Sequence, residues 1–123
     1  MALIDRNNVT APVVPQETVP MPSLGGDVLV RGLLLDQRLQ FGATQRELNK
    51  VREGETQDQA WERAGTECVP LLLALTVVLQ DGMPMWAPSQ WQAHGATHHG
   101  ECMDLFNTAW RLSGFDGGAA AKN

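Results

Sequence analysis

The segment "HGATHHGEC", residues 94 to 102, holds the side chains of this sequence best suited to chemistry. His94 and His98 lie four residues apart, one helical turn, so both can offer an imidazole nitrogen to one metal ion, with His99, Glu101 or Cys102 nearby. The pattern lacks the glutamate that follows the first histidine of a metalloprotease helix and serves as its general base, and no third ligand stands out elsewhere. Solvated or core-edge histidines are therefore the better reading. His94 and His98 remain the candidate ligands if the chain is a small metal-dependent enzyme. No GxSxG turn, phosphate-cradling glycine loop or GxGxxG occurs, and Asp36, Glu47, Glu53, Glu55, Asp58, Glu62 and Glu67 read as the wet faces of two helices. Cys68 and Cys102 have no CxxC spacing and read as reduced, small apolar core residues. The residues thus point to no enzyme and no cofactor.

The elements that must position these side chains follow from periodicity. Residues 1–26 hold four of the seven prolines and a Gly25-Gly26 pair, a composition for an extended N-terminal arm that is either a disordered terminus or a strand docking on a neighbour. Val28 to Leu35 predicts a short strand broken at Gly32, and Asp36 then caps a helix over 37–51 with a thin stripe of Leu39, Phe41, Leu48 and Val51. Thr56 and Gln59 have capping-box spacing and open a second helix whose Trp61, Ala64 and Cys68 share a face. Pro70 kinks that helix or starts a new one. Leu71 to Leu79 is apolar nearly all round, the central core element, turning strand-like at Thr76-Val77-Val78.

Asp81-Gly82 predicts a hairpin turn, Pro84 puts the returning strand at an edge, and Pro88 opens a final helix. Trp91, Gly95, His98, Cys102, Leu105, Ala109 and Leu112 form its apolar stripe, and Gly114-Phe115 its left-handed cap. The fold expected is mainly α with a short β-hairpin or strand element: an arm over 1–26, one domain over 27–116, and a flexible Gly/Ala tail over 117–123. Three of the four tryptophans fall in the last third of the chain, and Met83, Met85 and Trp86 at the hairpin rim suit either core or a surface that meets another protein.

With 123 residues, 43% of them hydrophobic, one core is expected. A formal charge of −5 with scattered arginines gives no basic stripe for nucleic acid. No apolar run approaches the roughly 20 residues of a membrane span, and no export signal opens the chain, so a soluble cytosolic protein is expected.

Taken in order, "VPQETVPMPSLGGDVLVRGLLLDQRL", "LLALTVVLQDGMPMWAPSQW" and "DLFNTAWRLSGFDGGAAAKN" resemble the tail assembly chaperones of long-tailed, siphovirus-like bacteriophages. The likeness rests on short combinations: Arg31-Gly32-Leu33 after a Gly-Gly turn, the Asp-Gly hairpin before a tryptophan-bearing helix, and Leu-Ser-Gly-Phe-Asp at that helix's end. The resemblance implies a non-catalytic homo-oligomer of the host cytoplasm, absent from the mature virion, which binds the tape-measure protein and recruits major tail-tube subunits. Leu33, Leu35, Met83, Met85 and Trp86 are the candidate contact residues. It also implies that the chain ends near a ribosomal slip site. Ala121-Lys122-Asn123 is compatible with such a site, and 117–123 then joins the domain to a programmed frameshift extension; the plainer alternative is a frayed tail. The rival reading in the same setting is a structural minor tail or connector protein of the virion.

Overall fold

The computed structural model describes residues 2–115, so the tail or frameshift junction over 117–123 lies outside the described residues. Those residues form a small α+β fold of four α-helices and a three-stranded antiparallel sheet in the order β1-β2-β3. The sheet consists of β1 (Gln16–Met21), β2 (Gly26–Arg31) and β3 (Val77–Val78). The helices are α1 (Leu35–Leu48), α2 (Gln57–Thr76), α3 (Pro88–Gly95) and α4 (His99–Leu112).

The second half of the proline-rich stretch read as an arm is therefore strand β1, which pairs with β2 from Gln16↔Arg31 to Met21↔Gly26. The Gly32 N–H donates to the Pro15 carbonyl at 2.8 Å, which extends the ladder by one pair and sets its phase. Residues 15, 17, 19 and 21 turn their backbone groups toward β2, while 16, 18 and 20 face the open edge. Pro20 thus places its missing N–H outward, where it costs no ladder bond and blunts the edge against further pairing. Between the strands a 3-10 turn, Pro22–Leu24, ends at Gly25 with φ 74°, a conformation glycine adopts without strain.

Gln37, Gln59 and Gln90 each reach back to accept the N–H three residues earlier, at Leu34 (3.0 Å), Thr56 (2.9 Å) and Ala87 (2.9 Å). Only at Thr56 does a side chain complete the box, its Oγ1 accepting from the Gln59 N–H at 3.2 Å. Asp36, expected as the α1 cap, lies inside the helix instead; Gln37 satisfies the entry. Helix α2 runs unbroken through Pro70 and delivers Val77-Val78 as β3, both buried against β2. The Asp81-Gly82 turn closes with Leu79 N–H to the Met83 carbonyl (2.8 Å) and Met85 N–H to the Val77 carbonyl (3.2 Å), and Gly82 has φ 85°.

The single final helix expected over 88–112 is two helices, because the chain bends at Ala96–His98 and His98 leaves helical geometry at φ −129°, ψ 49°. Its apolar stripe survives in two pieces: Trp91 on α3, and Cys102, Leu105 and Ala109 on α4. The α4 end closes as a Schellman motif, with Phe115 N–H to the Trp110 carbonyl (3.2 Å), Gly114 N–H to the Arg111 carbonyl (3.0 Å), and Gly114 at φ 80°. The core joins Met21 and Val30 of the sheet to Phe41 and Leu48 of α1, Leu72 and Leu73 of α2, Trp91, and Leu105. Leu39 and Val51, expected in the α1 stripe, are exposed, since α1 turns only Phe41 and Leu48 inward.

Candidate functional site

The break between α3 and α4 leaves His94 on α3 and His98 at the non-helical cap before α4, and lays their rings face to face, centroids 4.5 Å apart and planes within 7°. A metal must lie in the plane of each imidazole that binds it, so two parallel stacked rings cannot share one ion as they stand. His98 Nδ1 is bound to Thr97 Oγ1 at 2.9 Å. Among the described residues no three His, Cys, Asp or Glu side chains are grouped to hold a metal.

His94 instead joins a polar cluster built from distant parts of the chain. Its Nε2 lies 2.8 Å from Glu101 Oε1 and 3.3 Å from Ser23 Oγ. The Ser23 hydroxyl donates to Glu101 Oε1 at 2.5 Å and its backbone N–H to Glu101 Oε2 at 3.1 Å. An ionised carboxylate only accepts, so the His94 nitrogen facing Glu101 carries the proton. In a serine–histidine–acid triad the acid holds the ring nitrogen opposite the one that takes the serine proton. Here serine and glutamate meet the same nitrogen, and the serine hydroxyl already donates its hydrogen bond to the carboxylate. The geometry is a clamp between the β1–β2 turn and the α3–α4 bend, and it activates no nucleophile. Trp86 lies against the His94 ring, tilted and 5.0 Å away between centroids, and meets Trp91 edge-on at 4.7 Å.

Burial acts to raise the Glu101 pKa, but the hydrogen bonds from Ser23 and His94 and the charge of His94 outweigh it, leaving the carboxyl below the ordinary glutamate value. A depressed folded-state pKa contributes stability at neutral pH that disappears as pH falls below the unfolded value, about 4.3 for glutamate. Glu101→Gln should therefore cost about 1–2 kcal/mol at pH 7, with the gap to the parent chain narrowing toward pH 3.5. Urea titrations at the two pH values check this, and an equal gap at both would exclude the charge from the clamp. Burial first, then the charges of Glu67 and Glu101 respectively, push the Cys68 and Cys102 thiols up, so both stay protonated and unreactive.

The candidate contact residues divide. Leu35 and Met83 are exposed, whereas Leu33, Met85 and Trp86 are partly buried and pack against the core. The hairpin rim thus holds Met83 and Leu79 outward on a base anchored by Met85 and Trp86.

Two surfaces were not legible in the sequence. One is an apolar groove of about 380 Å³ between α2, α3 and α4, with Trp61 on its wall and 59% exposed. Trp61 was expected on the buried face with Ala64 and Cys68, but the inward stripe is Ala60, Ala64 and Cys68, strictly four apart, which leaves Trp61 outside it. The other is a shallow cleft on α1 lined by Arg38, Leu39, Gly42, Gln45, Arg46 and Phe115. Among the described residues no helix is long and apolar enough to cross a membrane. Comparison with protein-family models, with curated proteins and with solved structures finds no match to this chain.

Proposed function

We propose that the chain is a non-catalytic tail assembly chaperone of a long-tailed bacteriophage, which binds the tape-measure protein and helps recruit tail-tube subunits in the host cytoplasm. The observation that carries this reading is the hairpin rim. Met83 stands 61% exposed and Leu79 46% exposed on the Asp81-Gly82 turn, within a stretch that carries the family resemblance. A pliant thioether beside an aliphatic side chain, held out on a braced turn, suits contact with an apolar helical client. The exposed Leu3, Ile4, Val9 and Val13 before β1 add further apolar surface on the same acidic chain.

Co-expression with the tape-measure protein tests the proposal. The client should become soluble and co-purify, and Met83→Asp should weaken the capture without unfolding the chaperone. A client that stays insoluble with and without any frameshifted extension, together with this chain in purified virions, would favour a structural tail subunit instead.

A further inference from the structure

We infer that the groove between α2, α3 and α4 is the docking site for the outer face of α1 from a second copy of this chain, in a head-to-tail contact. This inference is independent of the chaperone reading. The groove is apolar along Trp61, Val69, Pro70, Leu73 and Met103, and among the described residues Glu62 is the one carboxylate that lines it. Through Pro70 and Gln92 it adjoins a second cleft, of about 300 Å³, that contains Glu67. Among the described residues no lysine or arginine lines either one. The occupant they fit is an apolar helix face carrying positive charge.

Helix α1 presents such a face. Leu35, Leu39, Gly42 and Arg46 fall at i, i+4, i+7 and i+11, which places them in one stripe. Leu35 is 74% and Leu39 64% exposed, and among the described residues the cleft beside them holds no carboxylate and two guanidinium groups, that of Arg46 and that of Arg38, the latter bound to the Ser113 carbonyl of its own copy. Both faces also carry a glycine where backbones would approach. A Cβ at Gly65 in the groove would meet nothing within 4 Å, and one at Gly42 would meet only the Arg46 Nη1, at 3.5 Å. Because Phe41 and Leu48 fix α1 against the core of its own copy, its outer stripe cannot turn into its own groove. Only another copy can supply it. The two surfaces differ, so the contact is heterologous and repeats into a ring or an open chain.

Such a contact has a signature that a symmetric dimer lacks. Leu39→Glu removes the inserting face and leaves the groove, whereas Gly65→Gln fills the groove and leaves the face; both sites are solvent-exposed and helical, and circular dichroism verifies folding. In sedimentation velocity over a concentration series, the parent chain should associate and each variant alone should associate at least about tenfold more weakly. Mixing the two variants should restore one contact and stop at a one-to-one dimer. A parent chain that stays monomeric, a variant that associates like the parent, or a mixture that stays monomeric would each overturn the inference. Loss of association on deleting residues 2–14, with Leu39→Glu harmless, would assign the groove to the N-terminal arm instead and overturn it equally.

Discussion

Replacing Trp91 by alanine should lower stability by about 3–5 kcal/mol, a large part of what holds a domain of this size. Trp91 is 1% exposed and is the largest fully buried side chain. It forms the floor of the groove, meets Trp86 edge-on, and lies 6.2 Å from the His94 ring, so its removal opens a cavity shared by α2, α3 and the hairpin base. Trp91→Phe should cost far less than its loss of volume implies. The indole Nε1 is buried with no hydrogen-bond partner among the described residues, so the smaller ring also removes an unsatisfied donor. Urea denaturation of the three proteins at pH 7 checks both values. A Trp91→Phe variant as unstable as Trp91→Ala would mean that the indole N–H has a partner, and that the site is held by polarity more than by packing.

The contrast between Trp91 and Trp61 shows where periodicity is readable and where it fails. Trp91 falls in step with Cys102, Leu105 and Ala109 once the bend at Ala96–His98 is allowed for, and its burial was expected. Trp61 sits beside an alanine and cysteine stripe that carries little hydrophobic weight, so the large side chain was assigned to the wrong side of α2. Local signals were legible because their causes are local: the Thr56–Gln59 box, the Asp81-Gly82 turn, the Gly114 cap and the conversion of α2 into β3 at Val77 each depend on a few adjacent residues. The α3–α4 bend has no proline to announce it, and its only signals are Gly95 at the end of α3 and Gly100 in the first turn of α4, of which Gly95 was placed in the stripe of one long helix. The bend also turns His94 away from chelation with His98 and toward Glu101, which reaches Ser23 across 78 residues of sequence. No spacing rule relates Ser23 to Glu101, and the clamp, like the groove, exists only once the helices have packed.

Gly32→Val should be nearly as damaging as Trp91→Ala, although it adds atoms where the other removes them. A Cβ built on Gly32 would stand 2.5 Å from the Leu112 carbonyl oxygen and 3.1 Å from its carbon, both backbone atoms that no rotamer change can move aside. Around this contact Leu33 N–H donates to Ser113 Oγ at 3.1 Å, Arg38 donates to the Ser113 carbonyl, and the Arg38 guanidinium lies 4.5 Å over the Phe115 ring. Phe115 in turn packs on Phe41 at 5.7 Å and Trp110 at 4.5 Å. Two of the short combinations behind the family resemblance, Arg31-Gly32-Leu33 and Leu112-Ser113-Gly114-Phe115, thus meet at one junction where β2 and α1 grip the end of α4. Overpacking against fixed atoms costs about 1–3 kcal/mol, and here it also pulls apart a hydrogen-bonded cap, so Gly32→Val should reach the top of that range and Gly32→Ala its middle. Thermal unfolding followed by tryptophan fluorescence should show both variants losing stability in that order. If Gly32→Ala is neutral, α4 slides away from β2 at little cost, and the junction is not what fixes the last helix on the sheet.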